Sequence, residues 1–249
     1  MIIKSSKKRL VLFAAVVSAL TVVAILSINF CSHDAHDKVQ LDAHDKVQLW
    51  EGGVYWATKN IGADKPEDYG YYFYWGDTVG YKREGDKWGN RSESSFSFSE
   101  DNTLTYGKSI SELERDGWIE NKNGTYVLVS KHDAAQAHLK GAWRMPTEEE
   151  LDNLNKKCNW TWDTRNGVNG YVVRGKGSYA SNSIFLPCAG YGNGDLFDGF
   201  GSYGSYWSSV PYQGSSRACV FGFTSRNRYT YNSSRYYGRA VRPVQGFSK

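Results

Sequence analysis

The chain has 249 residues, of which 30 are Lys or Arg and 26 are Asp or Glu. The basic excess is local, because residues 199 to 249 hold seven of the basic residues and none of the acidic ones. This excludes a uniformly basic chain, and four cysteines without a C-x-x-C spacing exclude a zinc knuckle and a disulfide framework.

The N-terminal 30 residues have the pattern of an export or anchoring segment. Lysines and an arginine in Met1–Arg9 precede Leu10–Phe30, a run of 21 uncharged residues. As a helix this run would be about 31 Å long, enough to span a bilayer. A cleaved signal peptide, an uncleaved anchor and a lipoprotein signal with lipidated Cys31 remain open, with the anchor favoured. All three predict a cell-envelope protein with residues 46 to 249 outside the cytoplasm.

Residues 31 to 45 are predicted to be a polar linker. The octapeptide DAHDKVQL occurs twice in succession, at 34–41 and 42–49. Two copies are too few for a stacked repeat fold. His36 and His44 could bind a metal weakly, but a duplicated linker explains the pattern better, and we predict no metal site.

Residues 46 to 249 are predicted to form one domain. In Trp50–Asp77, alternation places Tyr71, Phe73 and Trp75 on one face of a strand and Tyr72 and Tyr74 on the other. Residues 81 to 124 are predicted to be a long polar surface insertion.

Two helices have recognisable ends. Ser130 is predicted to cap the first helix, which Gly141 ends, and Thr147 with Glu150 forms a capping box for the second. Two helices, many short strands and 26 glycines predict an α+β domain with small antiparallel sheets and long irregular loops.

The C-terminal part predicts a small antiparallel meander of three strands, at Ala218–Phe223, Arg228–Tyr231 and Ala240–Val244. Its arginines alternate with tyrosines, which offer large, rigid contact areas for little conformational entropy. We interpret this part as a binding surface. The alternative is that Tyr and Arg only occupy solvated strand faces and turns.

The sequence carries no recognisable catalytic motif. Gly199, Gly201 and Gly204 match the dinucleotide pattern G-x-G-x-x-G, but no apolar strand precedes them and a strand follows. The domain that is expected to be exported contains Cys158, Cys188 and Cys219. We expect them to be buried as small hydrophobic residues, although Cys188 and Cys219 could form a disulfide. We therefore predict no enzyme and no cofactor.

Seven ordered segments resemble the Fibrobacter succinogenes major paralogous domain and the related DUF1566 group, over about residues 46 to 245. They are WATKNIGADKPEDYGYYFYWGD, GAWRMPTEEELDNL, CNWTW, NGVNGY, SIFLPCAGY, GSYGSYWSS and RYYGRAVRPV. The resemblance implies a C-type lectin-like fold, in the branch shared with formylglycine-generating enzymes and with the variable proteins of diversity-generating retroelements. It further implies that the C-terminal loops and strands form a ligand surface.

Two departures limit what the resemblance implies. Formylglycine-generating enzymes carry a paired cysteine site near the C-terminus, whereas Cys219 stands alone there. The calcium-binding motifs of sugar-binding C-type lectins are also missing from this sequence, so calcium-dependent sugar binding is not expected.

The leading hypothesis is an exported, membrane-tethered, non-catalytic module that binds an extracellular glycan or protein. Because the domain is expected to be exported, nucleic acid is not an expected partner. Alternatives are a structural cell-surface or adhesion component and, less favoured, an oxidase of the formylglycine-generating type. A further variant is a surface diversified by a retroelement. The predicted ligand-binding residues are Tyr191, Asn193, Tyr203, Tyr212, Arg226, Asn227, Tyr229, Tyr231, Asn232, Arg235 and Tyr236.

Overall fold

The computed structural model describes residues 45–84, 87–90, 93–139, 141–214 and 216–246. The predicted anchor at residues 1 to 30, the lipidation candidate Cys31 and almost all of the predicted linker lie outside these residues. Within the described ranges, no helix combines the length and the apolar character that crossing a membrane requires.

The described chain is built mainly from short strands. The strands are β1 (Lys46–Gln48), β2 (Tyr55–Ala57), β3 (Tyr72–Phe73), β4 (Lys82–Glu84), β5 (Lys87–Asn90), β6 (Glu93–Phe96), β7 (Ile119–Lys122), β8 (Thr125–Leu128), β9 (Trp143–Arg144), β10 (Asn159–Arg165), β11 (Val168–Arg174), β12 (Ser183–Pro187), β13 (Tyr191–Asn193), β14 (Leu196–Asp198), β15 (Gly204–Pro211), β16 (Arg217–Phe223), β17 (Arg228–Ser234), β18 (Arg239–Ala240) and β19 (Val244–Gln245). The α-helices of the described residues are α1 (Ile110–Arg115), α2 (Ala134–His138) and α3 (Glu148–Lys157).

The predicted fold class is wrong. The described residues form a mainly β structure of small, chiefly antiparallel sheets with three short helices, whereas an α+β, C-type lectin-like fold with two helices was expected. The additional helix is α1, and its start has a sequence signal that the prediction missed. Ser109 and Glu112 form a capping box, in which each side chain bonds the other residue's backbone N–H.

A five-stranded sheet in the order β17-β16-β15-β18-β3 organises the domain. Strands β15, β16 and β17 are antiparallel neighbours, whereas β15 and β18 pair in parallel through Tyr206 and Ala240. The predicted third strand of the meander, Ala240–Val244, is therefore wrong. The chain splits there into β18 and β19, and β19 joins a separate sheet in the order β1-β2-β19-β9.

Two hydrophobic cores lie on opposite faces of the central strands, and the predicted alternation is confirmed. Tyr72 and Tyr74 belong to the first core, while Phe73 and Trp75 belong to the second. In β16 the same period of two sends Phe221 to the first core and Val220 to the second, as expected for a strand buried on both sides.

Helix α3 begins as its sequence predicts. The Thr147 side chain accepts a hydrogen bond from the Glu150 N–H, and the Glu150 carboxylate accepts one from the Thr147 N–H. Arg144 adds two bonds to the Glu150 carboxylate, of 2.8 and 2.5 Å, and a third to the carbonyl of Gly246. The Arg144–Glu150 pair therefore joins the start of α3, strand β9 and the chain after β19.

The predicted first helix differs at its N-terminus. Ser130 begins a 3-10 turn, and Asp133 caps α2 by accepting hydrogen bonds from the backbone of Ala135 and Gln136. The other Asp133 oxygen accepts from the Met145 N–H, so that the cap also holds the segment that leads to α3. This second bond joins residues twelve positions apart, so a capping rule that considers only neighbouring residues cannot predict it.

The polar insertion, residues 81 to 124, contributes to both cores. It contains the sheet β4-β5-β6 and helix α1. Trp88 and Phe98 are buried in the first core, and Leu113 is buried in the second. The insertion is therefore part of the packed domain.

Candidate ligand-binding surface

Seven tyrosines form a continuous aromatic surface, here called the tyrosine face. Neighbouring members contact one another through ring edges, ring faces or hydroxyl groups, and none of them is fully buried. In the order of their contacts they are Tyr106, Tyr236, Tyr237, Tyr191, Tyr203, Tyr231 and Tyr229. The segments that supply them are far apart in sequence, and the tertiary fold brings them together.

The strand register sets the direction of the β17 tyrosines. Tyr229 lies opposite Gly222 and Tyr231 lies opposite Val220, on the sheet face that points away from α3. Residues of the other face bond that helix, as Thr230 does through Asp152 at 2.8 Å. The period of two therefore gives β17 one helix-bound side and one tyrosine side.

Gly222 allows Tyr203 to lie across the sheet. A Cβ atom at position 222 would come within 2.3 Å of the Tyr203 hydroxyl oxygen and within 2.9 Å of the Tyr231 ring. With hydrogen there, the Tyr203 hydroxyl reaches Tyr231 and donates a hydrogen bond of 2.8 Å. The absence of a side chain at position 222 is thus a condition for this part of the face.

The insertion supports the face from below. Gly192 and Gly238 bond each other's backbone in both directions, at 2.8 and 3.0 Å. A Cβ atom on either glycine would meet the ring of Phe98, at 2.4 and 2.2 Å respectively. Phe98 therefore fills the space beneath the chain segments that carry Tyr191 and Tyr237.

A buried cation lies beneath the rings. The Arg239 guanidinium carbon is 4.8 Å from the ring centre of Tyr191, 5.3 Å from that of Tyr237 and 5.8 Å from that of Tyr231. Only 2% of Arg239 is exposed, and its guanidinium donates to the hydroxyls of Ser205 and Ser233. Such cation–π contacts stabilise a guanidinium that is removed from water.

Several tyrosines of the face have raised pKa values. Burial raises the pKa of Tyr203, and the neighbouring Tyr231 raises it further. The pKa of Tyr236 is raised chiefly by its hydrogen bond to Tyr237 and then by burial. A hydrogen bond to Glu100 is the main cause of the raised pKa of Tyr106. A phenol with a raised pKa keeps its proton at neutral pH, so Tyr203, Tyr236 and Tyr106 can donate as well as accept hydrogen bonds.

The structure brings together five of the predicted binding residues and separates the others. The five on the tyrosine face are Tyr191, Tyr203, Tyr229, Tyr231 and Tyr236. Asn193 is close in sequence to Tyr191, at the end of β13, where it pairs with Leu196.

Tyr212, Arg226 and Asn227 are exposed at opposite ends of β16. Tyr212 lies in the turn before this strand, and the other two lie in the turn after it. Seven residues of extended chain span about 20 Å, so a small ligand cannot contact both turns.

Asn232 and Arg235 have structural partners. Asn232 lies opposite Cys219, and its side-chain amide oxygen (Oδ1) accepts a bond of 2.9 Å from Arg217. Arg235 is fully buried and donates to the carbonyl oxygens of Thr105, Lys108 and Arg217. The expectation that Arg235 contacts ligand is therefore corrected: its guanidinium joins the insertion to the end of the sheet.

The predicted ligand-binding residues did not include three components of this surface. Tyr237 and Arg239 belong to the run RYYGR, whose density of Tyr and Arg was the signal that could have found them. Tyr106 had no such signal, because it lies in the polar insertion and reaches the face through the ring of Tyr236, at 5.3 Å.

Two other kinds of site were considered, a surface groove and a metal site. A groove of about 200 Å³ is lined in part by Trp118, His132 and Lys131, and it contains none of the predicted binding residues. The His132 ring stacks on Trp118 at 3.7 Å, and its pKa is lowered mainly by burial. Among the described residues, no three His, Cys, Asp or Glu side chains cluster so that they could hold a metal ion.

The three described cysteines are buried free thiols. Cys219 donates a hydrogen bond of 3.2 Å to the Glu148 carboxylate. Burial, followed by the negative charge of Glu148, raises the pKa of Cys219, which is the opposite of what a reactive thiolate requires. Cys188 and Cys219 do not form the disulfide that was left open as an alternative.

A family model described as "Domain of unknown function (DUF8237)" matches residues 106 to 244. The matched region begins at Tyr106 and contains every member of the tyrosine face together with Arg239. No curated protein and no solved structure matches the chain. The resemblance to the Fibrobacter domains stays a prediction.

Proposed function

The chain belongs to the DUF8237 family, and from the geometry of its own surface we propose that it is a non-catalytic binding module. It takes its ligand, a glycan or a protein, on the tyrosine face. The N-terminal segment tethers the module to the membrane, with the face outside the cytoplasm. The observation that carries the proposal is the contiguity of seven partly exposed tyrosines on one surface.

Tyr229 is exposed and the other six tyrosines are half-buried, so the face presents contiguous aromatic surface to water, and monomeric proteins keep such patches mainly where something binds. Tyrosine is suited to this use because its ring is rigid and its hydroxyl group satisfies polar partners. Phe98 and Arg239 lie behind the face, and Gly222 leaves the space that Tyr203 occupies. A surface organised before contact loses little entropy when a ligand binds.

The same observations favour binding over catalysis. Formylglycine-generating enzymes have a paired cysteine site near the C-terminus, and Cys219 is the cysteine of this chain in that region. Its side chain is 3% exposed and is hydrogen-bonded to Glu148. The phenols of the face have raised pKa values at Tyr203, Tyr236 and Tyr106, so they do not supply a base at neutral pH.

The test compares two tyrosines with equal exposure. Tyr229 and Tyr212 are each 44% exposed, but only Tyr229 lies on the tyrosine face. We expect the full chain to bind members of a glycan and protein array, Tyr229→Ala to lose the strongest signals, and Tyr212→Ala to keep them. Equal loss in both variants, or no loss in either, would remove the tyrosine face from the function. Self-association without a bound ligand would favour the structural alternative.

A further inference from the structure

Arg239 has no carboxylate partner among the described residues. Its hydrogen bonds go to the neutral hydroxyls of Ser205 and Ser233, and its buried Nε has no hydrogen-bond partner. A buried charge without an opposite charge is expensive, because the fold removes it from water without a full replacement. Cation–π contacts with the surrounding rings offset only part of this desolvation cost.

The position of Arg239 gives the tyrosine face a positive electrostatic potential. The guanidinium lies under the rings of Tyr191, Tyr237 and Tyr231, at centroid distances below 6 Å. Protein surrounds it, so the field toward the face is screened less than that of a surface arginine. The cation also offsets the negative potential of the ring faces above it. A negatively charged group is therefore favoured at this face.

Hydroxyl donors stand at the same place. The Tyr203 hydroxyl donates to Tyr231, which leaves the hydrogen of the Tyr231 hydroxyl for another acceptor. Tyr229 contacts the Tyr231 ring at 5.4 Å and is the most exposed member of the face. Anionic oxygens accept strong hydrogen bonds from such hydroxyls.

Two carboxylates border the face elsewhere. Asp198 pairs with Tyr191 across β13 and β14, and Glu100 hydrogen-bonds Tyr106. Neither forms an ion pair with Arg239 within the described part of the chain, and neither bonds Tyr203 or Tyr231. Because these two carboxylates lie near Tyr191 and Tyr106, they would repel an anion there. The other end of the face, near Tyr203, Tyr229 and Tyr231, is therefore where an anion would bind.

We propose that the tyrosine face binds a saccharide that carries a carboxylate or sulfate group, with Arg239 supplying the positive charge beneath it. This inference rests on the proposed function and names its ligand class. A sugar ring has an apolar face that packs on phenol rings and hydroxyls at its edge that bond tyrosine hydroxyls. A protein partner would instead call for pockets that receive anchoring side chains.

The experiment uses the full chain and two charged polymers, each with an uncharged counterpart. Polygalacturonate is compared with its full methyl ester, and dextran sulfate is compared with dextran. The variants are Arg239→Met, which removes the buried charge, and Arg174→Met, which removes an exposed arginine in the β10-β11-β12 sheet. Circular dichroism and thermal unfolding verify that each variant is folded.

We expect the wild type to bind at least one charged polymer at least about tenfold more tightly than its uncharged counterpart, a factor that corresponds to about 1.4 kcal/mol. Arg239→Met should abolish this preference, and Arg174→Met should keep it. If Arg239→Met does not fold, Tyr231→Phe replaces it, because it removes a hydroxyl donor while keeping the ring. The two polymer pairs distinguish carboxylate from sulfate.

Equal binding of charged and uncharged polymers would overturn the inference. So would a preference for charge that survives in a folded Arg239→Met, or in Tyr231→Phe where Arg239→Met does not fold. A preference that Arg174→Met removes equally would also overturn it, since surface charge would then explain the binding. An array on which only proteins or neutral glycans bind, with signals lost in Tyr229→Ala, would sink this inference and leave the proposed function standing. No binding to any array member would remove both.

Discussion

The hydroxyl of Tyr203 donates a 2.8 Å hydrogen bond to the hydroxyl of Tyr231, across a glycine in the strand between them. This bond joins the chain segment before β15 to strand β17. It is possible because Gly222 has no side chain to occupy the space.

Replacing Gly222 by alanine should disrupt this arrangement. The new methyl group would lie 2.3 Å from the Tyr203 oxygen, so Tyr203 must move. Overpacking of this kind costs about 1–3 kcal/mol in the free energy of unfolding, measured by urea denaturation. The control is a double-mutant cycle with Tyr203→Phe, in which the substitution should cost less because the clashing oxygen is gone. Equal costs in both backgrounds would show that Tyr203 is not what the methyl group displaces.

Arg235 should prove to be a structural residue. Its guanidinium bonds three backbone carbonyl oxygens, and Arg235→Ala would leave those of Thr105 and Lys108 without this donor. We expect the free energy of unfolding to fall by more than about 2 kcal/mol. Arg226→Ala is the comparison, since Arg226 is exposed in the turn after β16 and should change stability little. A stable Arg235→Ala protein with reduced ligand binding would contradict this role.

Glu150 should matter far more than its neighbour Glu149. The Glu150 carboxylate takes two bonds from Arg144 and one from the Thr147 N–H, whereas Glu149 is exposed. Glu150→Gln breaks a largely buried ion pair, and we expect a loss of about 3 kcal/mol in unfolding experiments. Glu149→Gln, in the same helical turn, should cost less than about 0.5 kcal/mol. Similar losses in the two variants would mean that the ion pair adds little.

Asp133 should make stability depend on pH between about 4 and about 6. Burial raises its pKa from 3.8 to about 6, although the N–H groups of Met145, Gln136 and Ala135 oppose the shift. The folded chain therefore holds this proton more tightly than the unfolded chain does. Its contribution to stability is present below about pH 4 and is lost as the pH rises through about 6.

The measurement is urea unfolding of the wild type and Asp133→Asn at several pH values in this window. The variant should be less stable overall, because an amide nitrogen cannot accept the Met145 N–H, and the fall in stability with rising pH should be smaller. Surface acids with lowered pKa values, Glu112 and Asp116, give the opposite slope at lower pH and are common to both proteins. Identical slopes in the two proteins would exclude Asp133 as the source.

Local patterns predicted part of the fold correctly. The alternation in Tyr71–Trp75 placed its side chains on the correct faces of the strand, because a period of two follows from strand geometry alone. The capping box at Thr147 and Glu150 is equally local. The number of helices was wrong because the local capping box of α1 was missed. The strand at Ala240–Val244 was wrong because the chain after Gly238 is distributed between two sheets by partners distant in sequence.

For the candidate surface, composition located the region but not its members. The excess of Tyr and Arg after residue 199 indicated where a surface should lie, and four of the five predicted tyrosines that share the face come from that region. Composition could not distinguish Arg226, which is exposed, from Arg235, which is fully buried. It also gave no reason to join Tyr106 to Tyr236.

The amino-acid sequence alone defines the strand alternation, the capping boxes, and the region in which aromatic and basic residues gather. Those features depend on backbone geometry and on neighbours within a few positions. Only the tertiary structure decides that Arg239 lies beneath Tyr191, Tyr231 and Tyr237 without a carboxylate partner in the described part of the chain. It also decides that Phe98 fills the space beneath the segments that carry Tyr191 and Tyr237. Burial and charge pairing depend on which distant segments exclude water from a side chain, and the packed fold determines which segments those are.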